Sequence, residues 1–498
     1  MALLASACHS GRPSQDELVV LLESPPLNAD PRLAVAAYDF KLSRLIYAPL
    51  VSVDDATVEP KMELAEEVVP LSNLKWRISL RDAKFSDGRS VTADDIVYSL
   101  DSSRQMSGRL RQRFSDDGLI KVEVMDARHL ELTLSHPHAP FITDLDIGII
   151  ARPRSSDDKQ AIGAGPFVIP QGGGREGETW HLDANPYFYG GVPKSKHLTI
   201  KTIRDDNSRL LALVGGSADL TQNTISPLLI DAVAEQPRLR VETDRSSVYT
   251  YLGLNCEDPI LKDVRVRRAI ALAIDRKQII STKLHGRAVL ATGMLPTFHW
   301  AYEPTVDNYD FDPARARQLL DEAGYPVRAD GTRFTLVYKT SSNRFRVALA
   351  SVIEHMLEAV GIGVDLRVNE FATFFADVKK GNFQMFTMQI PEIAEPDLYS
   401  HFFGSKRIPT REDLDAGGNR ARYRNPELDK LFDQGRAEMD REKRKVIYSE
   451  VQKILAREVP VVSLWHEDNI AAMRREVQGY QILPTAQLTT LARTYKSP

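Results

Sequence analysis

Cysteine is almost absent from this 498-residue chain, which has only Cys8 and Cys256. Two cysteines cannot build a disulfide framework, and neither belongs to a CxxC pair or to a Cys/His spacing typical of a zinc site. Cys256 closes the apolar run 251–256, where a small buried side chain is expected. The sequence therefore predicts no disulfide scaffold, no metal site and no cofactor.

The chain also lacks an excess of one charge and a long apolar run. Lys plus Arg number 64 and Asp plus Glu 68, which leaves a net charge of −4. A nucleic-acid partner requires a strongly basic face, so none is predicted. No run reaches the roughly 18 apolar residues that a membrane-spanning helix needs.

Sequence motifs of the common enzyme classes are missing as well. The chain has no GxxxxGK[ST] phosphate loop, no HExxH zinc helix and no GxSxG nucleophile elbow. His466-Glu467 has no second histidine at the required spacing. A hydrolase thus has no motif in its favour, and the chain is expected not to be an enzyme.

What the chain does contain is a regular alternation of strand and helix patterns. The segments 334–338, 346–360 and 363–368 predict a β-α-β unit and hence a parallel sheet. The segment 263–280 predicts one long amphipathic helix, with Val266, Ile270 and Ile274 on one face. Length and pattern together predict an α/β protein of two to four folding units.

The N-terminus carries one further feature. Cys8 follows Leu3-Leu4-Ala5-Ser6-Ala7, and small residues before a cysteine resemble the processing site of a bacterial lipoprotein signal. The apolar stretch is shorter than a complete signal requires. Either the printed sequence begins inside its signal peptide, with Cys8 as the lipidated residue, or the resemblance is coincidental.

Many segments, in a fixed order, carry a resemblance to a known family. They are Trp76-Arg-Ile-Ser-Leu-Arg81, Lys84-Phe-Ser-Asp-Gly88, Thr92-Ala-Asp-Asp-Ile-Val97, Gly163-Ala-Gly-Pro-Phe167, Asn185-Pro-Tyr-Phe-Tyr-Gly190, Tyr251-Leu-Gly-Leu-Asn255, Asp263-Val-Arg-Val-Arg-Arg-Ala-Ile270, Ala273-Ile-Asp-Arg276, Tyr423-Arg-Asn-Pro-Glu-Leu-Asp429 and Val477-Gln-Gly-Tyr480. Over residues 18 to 485 the chain resembles the peptide-binding class (family 5) of bacterial extracellular solute-binding proteins of ABC transporters.

The resemblance implies an α/β fold of the periplasmic-binding-protein-like type II class, with two lobes, a hinge and three domains. Residues 1–17 would be a leader and tether, and 48–162 an inserted β-rich subdomain. The first lobe would combine 18–47, 163–250 and 468–498, and the second lobe would span 251–467. Two crossing strands, within 246–254 and 464–469, would form the hinge.

The resemblance also implies where a ligand would bind. In the family, an acid shortly before an Asp-Pro-Asp segment holds the α-ammonium of a bound peptide. In the matching stretch 389–397, Glu392 takes the place of that acid and the usual tryptophan is absent. The other residues implied to contact ligand are Gln389, Ile390, Pro391, Ala37, Tyr38, Lys339, Trp465 and His466.

The function that follows is a receptor for a peptide or peptide-like solute. It would act as a monomer with the permease subunits of an ABC importer, in the periplasm or at the cell surface, lipid-anchored if Cys8 is processed. Two alternatives stay open. The same scaffold could hold a non-peptide solute such as a metal chelate, a sugar, haem or an opine, or it could serve as a cytoplasmic peptide-binding regulator or chaperone.

Overall fold

Three β-sheets organise the chain. The computed structural model describes residues 13–34, 36–53, 56–105, 118–154 and 162–497, so Cys8 lies outside the described residues. In chain order the strands are β1 Glu17–Leu22, β2 Val51–Ser52, β3 Lys61–Met62, β4 Ala65–Ser72, β5 Lys75–Leu80, β6 Leu119–Val124, β7 His129–Leu134, β8 Phe167–Val168, β9 Arg175–Glu176, β10 Thr179–Ala184, β11 His197–Thr202, β12 Leu220–Gln222, β13 Leu239–Asp244, β14 Tyr249–Leu254, β15 Ala288–Leu290, β16 Phe334–Ser341, β17 Ile362–Asn369, β18 Met385–Ile390, β19 Val461–Glu467, β20 Asn469–Arg474, β21 Val477–Gln478 and β22 Tyr495–Lys496.

Helices cover the sheets, and several begin and end at residues suited to those positions. Asp312 caps the helix Pro313–Glu322, because its side chain accepts a hydrogen bond from the Arg315 amide. Gly381 ends the helix Phe371–Lys380 with backbone dihedrals in the left-handed region. In chain order the helices are α1 Ala37–Ile46, α2 Ala93–Gln105, α3 Phe141–Asp144, α4 Asp206–Gly215, α5 Ile230–Ala234, α6 Val264–Ala273, α7 Arg276–Lys283, α8 Pro313–Glu322, α9 Arg344–Glu358, α10 Phe371–Lys380, α11 Leu398–Phe403, α12 Pro426–Ala437 and α13 Arg441–Glu458.

The first-lobe sheet has eight strands, in the order β13-β20-β12-β1-β11-β10-β8, with β9 paired to β10. Its central strand β1 runs parallel to both neighbours, with Val20 opposite Ile200 on one side and Leu220 on the other. The side chains of β1 are buried on both faces, as expected for a parallel strand covered by helices. Strand β20 places the C-terminal part of the chain in the same sheet as the N-terminal part.

The inserted subdomain is built on a four-stranded antiparallel sheet, in the order β4-β5-β7-β6. Trp76, Ile78 and Leu80 alternate along β5 and point into one core, which α2 covers with Ile96 and Leu100. The subdomain touches the second lobe where the Ala139 amide donates to the Arg436 carbonyl, at 2.8 Å.

The second-lobe sheet has six strands, in the order β15-β19-β14-β18-β16-β17. The predicted β-α-β unit is present, because β16 and β17 run parallel and α9 connects them. Strand β18 lies parallel to the other side of β16, so three parallel strands end at one edge. The strands of both lobes fall within the predicted ranges except for Glu17 of β1 and for Tyr249 and Thr250 of β14, and the domain boundaries themselves stay a prediction.

The segment predicted as one long helix is two helices, α6 and α7. Ile274 between them has extended dihedrals (φ −99°, ψ 112°). The Asp275 side chain accepts from the Gln278 amide and thereby caps α7. The prediction was wrong because apolar spacing continues through the break, whereas a cap starts a new helix.

The chain crosses between the two lobes at two places. Residues 245–248 join β13 to β14, and Asp468 alone joins β19 to β20. The crossings touch, since His466 Nδ1 lies 3.0 Å from the Val248 carbonyl oxygen. Two short adjacent connections are the arrangement that permits hinge bending.

Asp468 makes stability depend on pH at this crossing. Burial and the neighbouring Asp244 raise the pKa of Asp468 to about 6, although Arg287 opposes the shift. This pKa exceeds the unfolded value of about 3.9. Between these two pH values the folded chain keeps a proton on Asp468 that the unfolded chain has lost, so the free energy of unfolding falls as pH rises through this range. The pKa shift alone corresponds to a loss of roughly 3 kcal/mol in the free energy of unfolding. Because Asp468 is partly exposed to solvent, we expect a loss of about 1 kcal/mol.

We therefore expect Asp468→Asn to raise the free energy of unfolding of the lobes by about 1 kcal/mol near neutral pH and to change nothing near about pH 4. Thermal unfolding midpoints at both pH values, compared with the exposed-site control Asp433→Asn, measure this. An equal shift at both pH values would assign the effect to something other than ionisation of Asp468.

Candidate functional site

The carboxyl ends of the parallel strands in both lobes lead into the segments that carry the candidate site. In the first lobe β1 ends at Leu22 and is followed by Glu23, and in the second lobe β18 ends at Ile390 and leads into Pro391 and Glu392. Loops at this edge of an open α/β sheet are the usual position for ligand contacts. The two lobes touch beside the second of these edges, because Gln487 Nε2 of the first lobe donates to Glu392 Oε2 of the second, at 3.2 Å.

Glu392 has an unusual backbone conformation. Its φ is 54°, in the left-handed region that non-glycine residues rarely adopt. The side chain is half-buried, and Ile393 directly after it is fully buried in the second-lobe core. A strained conformation persists only where its surroundings hold it, so the backbone that carries this carboxylate is held by the fold.

The loop that carries Glu392 is held by ionic contacts that are largely shielded from solvent. Glu395 pairs closely with Arg444 of α13, and burial raises the pKa of Glu395 although Arg444 opposes the shift. Two residues on, Asp397 accepts from Arg436 at 3.2 Å and from the Tyr448 hydroxyl at 3.2 Å. These contacts hold the loop to α12 and α13.

Helix α1 supplies a cation to the same site. The Lys41 ammonium lies 5.5 Å from the centroid of the Tyr38 ring, and Glu23 and Glu392 are the carboxylates whose charges act on it. Although part of the Lys41 side chain is exposed, burial lowers its pKa to about 8, an effect that the two carboxylates partly offset. Burial raises the pKa of the Tyr38 hydroxyl, and the negative charge of Glu23 raises it further.

Gln487 comes from a tightly held segment near the C-terminus. The Gln222 side chain at the end of β12 donates to the Ala486 carbonyl at 2.9 Å, and the Ser247 amide at the hinge donates to the Pro484 carbonyl at 2.9 Å. Gln487 is buried, and its Oε1 accepts no hydrogen bond from the described residues. An amide acceptor is thus held next to the Glu392 carboxylate.

Several residues predicted to contact ligand lie at or beside this site. Pro391 and Ala37 are exposed, Tyr38 is half-buried, and Ile390 is buried beneath the loop. Gln389 turns toward the hinge, where its Nε2 donates to Glu467 Oε1 at 2.8 Å. Their contact with a ligand stays a prediction.

The structure does not bring Lys339, Trp465 or His466 to this site. Lys339 is buried and pairs with Asp377 at 2.7 Å. The Trp465 ring is 0% exposed in the second-lobe core, where close packing leaves it no open face for an apolar ligand. His466 is buried beside Tyr249, and burial lowers its pKa to about 4, so it is neutral near neutral pH.

Lys41, Gln487 and Glu23 were not predicted. Glu23 directly follows an apolar strand, which is a signal that sequence alone provides. Lys41 and Gln487 lie far from Glu392 along the chain. Lys41 is one helical turn after the predicted Ala37 and Tyr38, whereas Gln487 is near no recognisable motif.

The arrangement is suited to binding. It offers a carboxylate, an amide and an ammonium to a charged, hydrogen-bonding ligand. Among the described residues no group of three or more His, Cys, Asp or Glu side chains is placed to hold a metal ion. Within the same residues, no helix combines the length and apolar character needed to cross a bilayer.

Comparison with known proteins was made for sequence and for structure. A family model described as bacterial extracellular solute-binding proteins, family 5, middle region, matches residues 59–408. A probable D,D-dipeptide-binding periplasmic protein of Escherichia coli (strain K12) is 27% identical over 500 residues, covering 96% of this chain and 93% of that protein.

Two solved structures have the same fold. The oligopeptide-binding protein AppA from Bacillus subtilis, in complex with a nonapeptide, superposes with a TM-score of 0.79 at 24% identity, covering 97% of this chain and 99% of that chain. NikZ from Campylobacter jejuni, in complex with Ni(L-His), superposes with a TM-score of 0.82 at 23% identity, covering 97% of this chain and 100% of that chain. These likenesses confirm the predicted fold class, a two-lobed α/β protein of the periplasmic-binding-protein-like type II class.

Proposed function

The chain belongs to the bacterial extracellular solute-binding proteins of family 5, and we propose that it captures a peptide between its two lobes for an ABC importer. The observation that carries the proposal is the contact between Glu392 of the second lobe and Gln487 of the first. A ligand bound at this contact touches both lobes at once, and so favours the closed form of a hinged protein.

A peptide suits the charges at the contact. Its α-ammonium matches the half-buried Glu392 carboxylate, and its backbone can bond to strand-end segments of either lobe. Peptide-binding relatives support the same ligand class, since one is named for dipeptides and another holds a nonapeptide. The proposed role is capture and release of the unchanged solute by a monomer that delivers it to the permease subunits.

Native mass spectrometry tests the ligand class directly. The full chain is mixed with a pool of unmodified di-, tri-, tetra- and pentapeptides, and bound masses are read from the intact complex. We expect one-to-one complexes, and the pool member that binds most tightly is called the lead peptide below. Binding of no pool member would contradict the proposal, and a co-purified metal-chelate mass would favour the non-peptide alternative.

Anchoring outside the cytoplasmic membrane is part of the proposal. If Cys8 is lipidated, the polar segment 10–15 acts as a tether between the membrane and β1. Expressed with its natural upstream sequence, the chain is expected to partition with membranes, and Cys8→Ser to release it. Cell fractionation with Cys256→Ser as the control measures this, and membrane association that survives Cys8→Ser would contradict lipidation.

A further inference from the structure

Arg276, the first residue of α7, is a buried cation that pairs with no carboxylate of the described residues. It is 5% exposed, and its two terminal nitrogens donate hydrogen bonds only to uncharged oxygens. These oxygens belong to Ala291, Ser463, Asn308 and Tyr309. The acid whose charge acts on Arg276 is Asp310, which pairs instead with Lys277 at 3.0 Å. Burying a charge without an opposite charge costs free energy, so this guanidinium favours an anionic partner.

A cavity of the second lobe adjoins this guanidinium, and we call it the Arg276 cavity. Its volume is about 40 Å³, and its lining includes Arg276, the buried Tyr249 and Tyr399, and the exposed Asp307. One water molecule needs about 10 to 15 Å³ of such space, so about three waters or a ligand of similar size fit inside. Glu392 is not among the described residues that line the cavity, which is therefore distinct from the proposed peptide site.

The polar groups that line the Arg276 cavity have hydrogens to donate. Arg276 Nε donates to none of the described residues. The Tyr399 hydroxyl oxygen accepts from the Met294 amide at 3.1 Å, and within the described part of the chain its own hydrogen has no acceptor. The Tyr249 hydroxyl and Ser463 Oγ share one hydrogen bond of 2.7 Å, which leaves one of their two hydrogens over. Unused donors beside a buried cation are the chemistry that binds an anion.

We propose that the Arg276 cavity binds a small monovalent anion, either a halide or a short carboxylate such as formate. The anion accepts hydrogen bonds from Arg276 Nε and from the Tyr399 hydroxyl, and its charge balances that of the guanidinium. A divalent anion is disfavoured, because Asp307 already contributes one negative charge to the lining. The site is independent of the proposed function, since it requires neither a peptide nor closure of the lobes.

A bound anion is expected to stabilise the second lobe. Arg276 joins β19, through Ser463, to the residue after β15, through Ala291, and to the segment before α8, through Tyr309. A ligand that binds the folded lobe and not the unfolded chain raises the unfolding midpoint as its concentration rises.

Thermal unfolding of the full chain tests this in sodium chloride, sodium formate and sodium gluconate at equal ionic strength. Gluconate has the same charge as the other two anions but is too large for the Arg276 cavity. We expect chloride or formate to raise the unfolding midpoint of the second lobe by about 3 to 6 °C over gluconate, at about ten times its dissociation constant. An effect of chloride alone would identify a halide site, and an effect of formate alone a carboxylate site.

Two glycine substitutions show whether the effect comes from this cavity. Gly293 lines the cavity, and a Cβ atom added to it would lie 3.1 Å from the Tyr399 hydroxyl oxygen, so Gly293→Ala puts a methyl group beside that donor. Gly215→Ala is the matched control, because a Cβ atom there would meet no neighbouring group within 4 Å. We expect Gly293→Ala to lose the difference between the salts and Gly215→Ala to keep it.

Crystals of the wild type locate the anion without any variant, so this measurement stands even if Gly293→Ala folds poorly. Bromide replaces chloride, and its anomalous scattering is expected inside the Arg276 cavity; if formate is the stabilising anion, its electron density is expected there. Equal midpoints in all three salts, an anion effect that persists in folded Gly293→Ala, or a stabilising anion that binds only elsewhere would overturn the inference. Neither experiment contains a peptide, so a failure of the proposed function would leave these results unchanged.

Discussion

Replacing Glu392 by glutamine is expected to weaken binding of the lead peptide by about 30-fold to several-thousand-fold. The charge lies where the two lobes meet, and a peptide ammonium bound there is shielded from solvent in the closed form. Removing one partner of such a pair leaves the other charge buried and unpaired, which costs about 2 to 5 kcal/mol. An exposed loop carboxylate would contribute less than about 1 kcal/mol.

Calorimetry decides between these two ranges because they do not overlap. Glu412→Gln is the matched control, since Glu412 is an exposed carboxylate of the same lobe that bonds to no described residue. We expect Glu412→Gln to bind as the wild type does. A loss below about 4-fold for Glu392→Gln, or an equal loss for both variants, would show that Glu392 is not an ammonium contact.

Replacing Arg444 by alanine is expected to lower the free energy of unfolding of the second lobe by about 3 to 5 kcal/mol. Arg444 is buried, pairs with Glu395 and donates to the Gly435 carbonyl at 3.0 Å. The substitution leaves the largely buried Glu395 carboxylate without its cation, which is a strongly destabilising change. Ligand affinity should fall as well, because the loop that positions Glu392 loses its anchor.

Two variants make the Arg444 prediction specific. Lys445→Ala changes the next, exposed residue of the same helix and is expected to cost less than about 0.5 kcal/mol. Replacing both Arg444 and Glu395 by methionine should recover much of the lost stability, since no charge is then left unpaired. Urea unfolding followed by tryptophan fluorescence measures all three, and a double variant as unstable as Arg444→Ala would count against the ionic explanation.

Local patterns in the sequence were enough to predict much of the fold. The parallel unit of β16, α9 and β17 follows from apolar periodicity, and Asp312-Pro313 and Gly381 predict helix ends through their own backbone chemistry. The break at Ile274 was missed because apolar spacing alone cannot show that a following aspartate caps a new helix.

The site could be predicted only in part, for a physical reason. Glu392 was predicted because the family resemblance places an acid at its distance before Pro396 and Asp397, and its contact with a ligand stays a prediction. Gln487 and Lys41 reach the same place only through the strand order of the first lobe, which joins N-terminal, central and C-terminal segments in one sheet. Trp465 was predicted to contact ligand because it lies near the end of a strand. In the structure its ring is in the core, and a β-bulge in the pairing between β14 and β19 lies beside it.

Small-angle X-ray scattering tests most directly whether the two lobes close on a peptide through its free amino end. The full chain is measured alone, with saturating lead peptide, and with the same peptide N-acetylated at equal concentration. The account predicts a smaller radius of gyration with the lead peptide and no change with the acetylated form, which has no ammonium for Glu392. A scattering profile that stays unchanged with bound lead peptide, or that shrinks equally with both peptides, would contradict it.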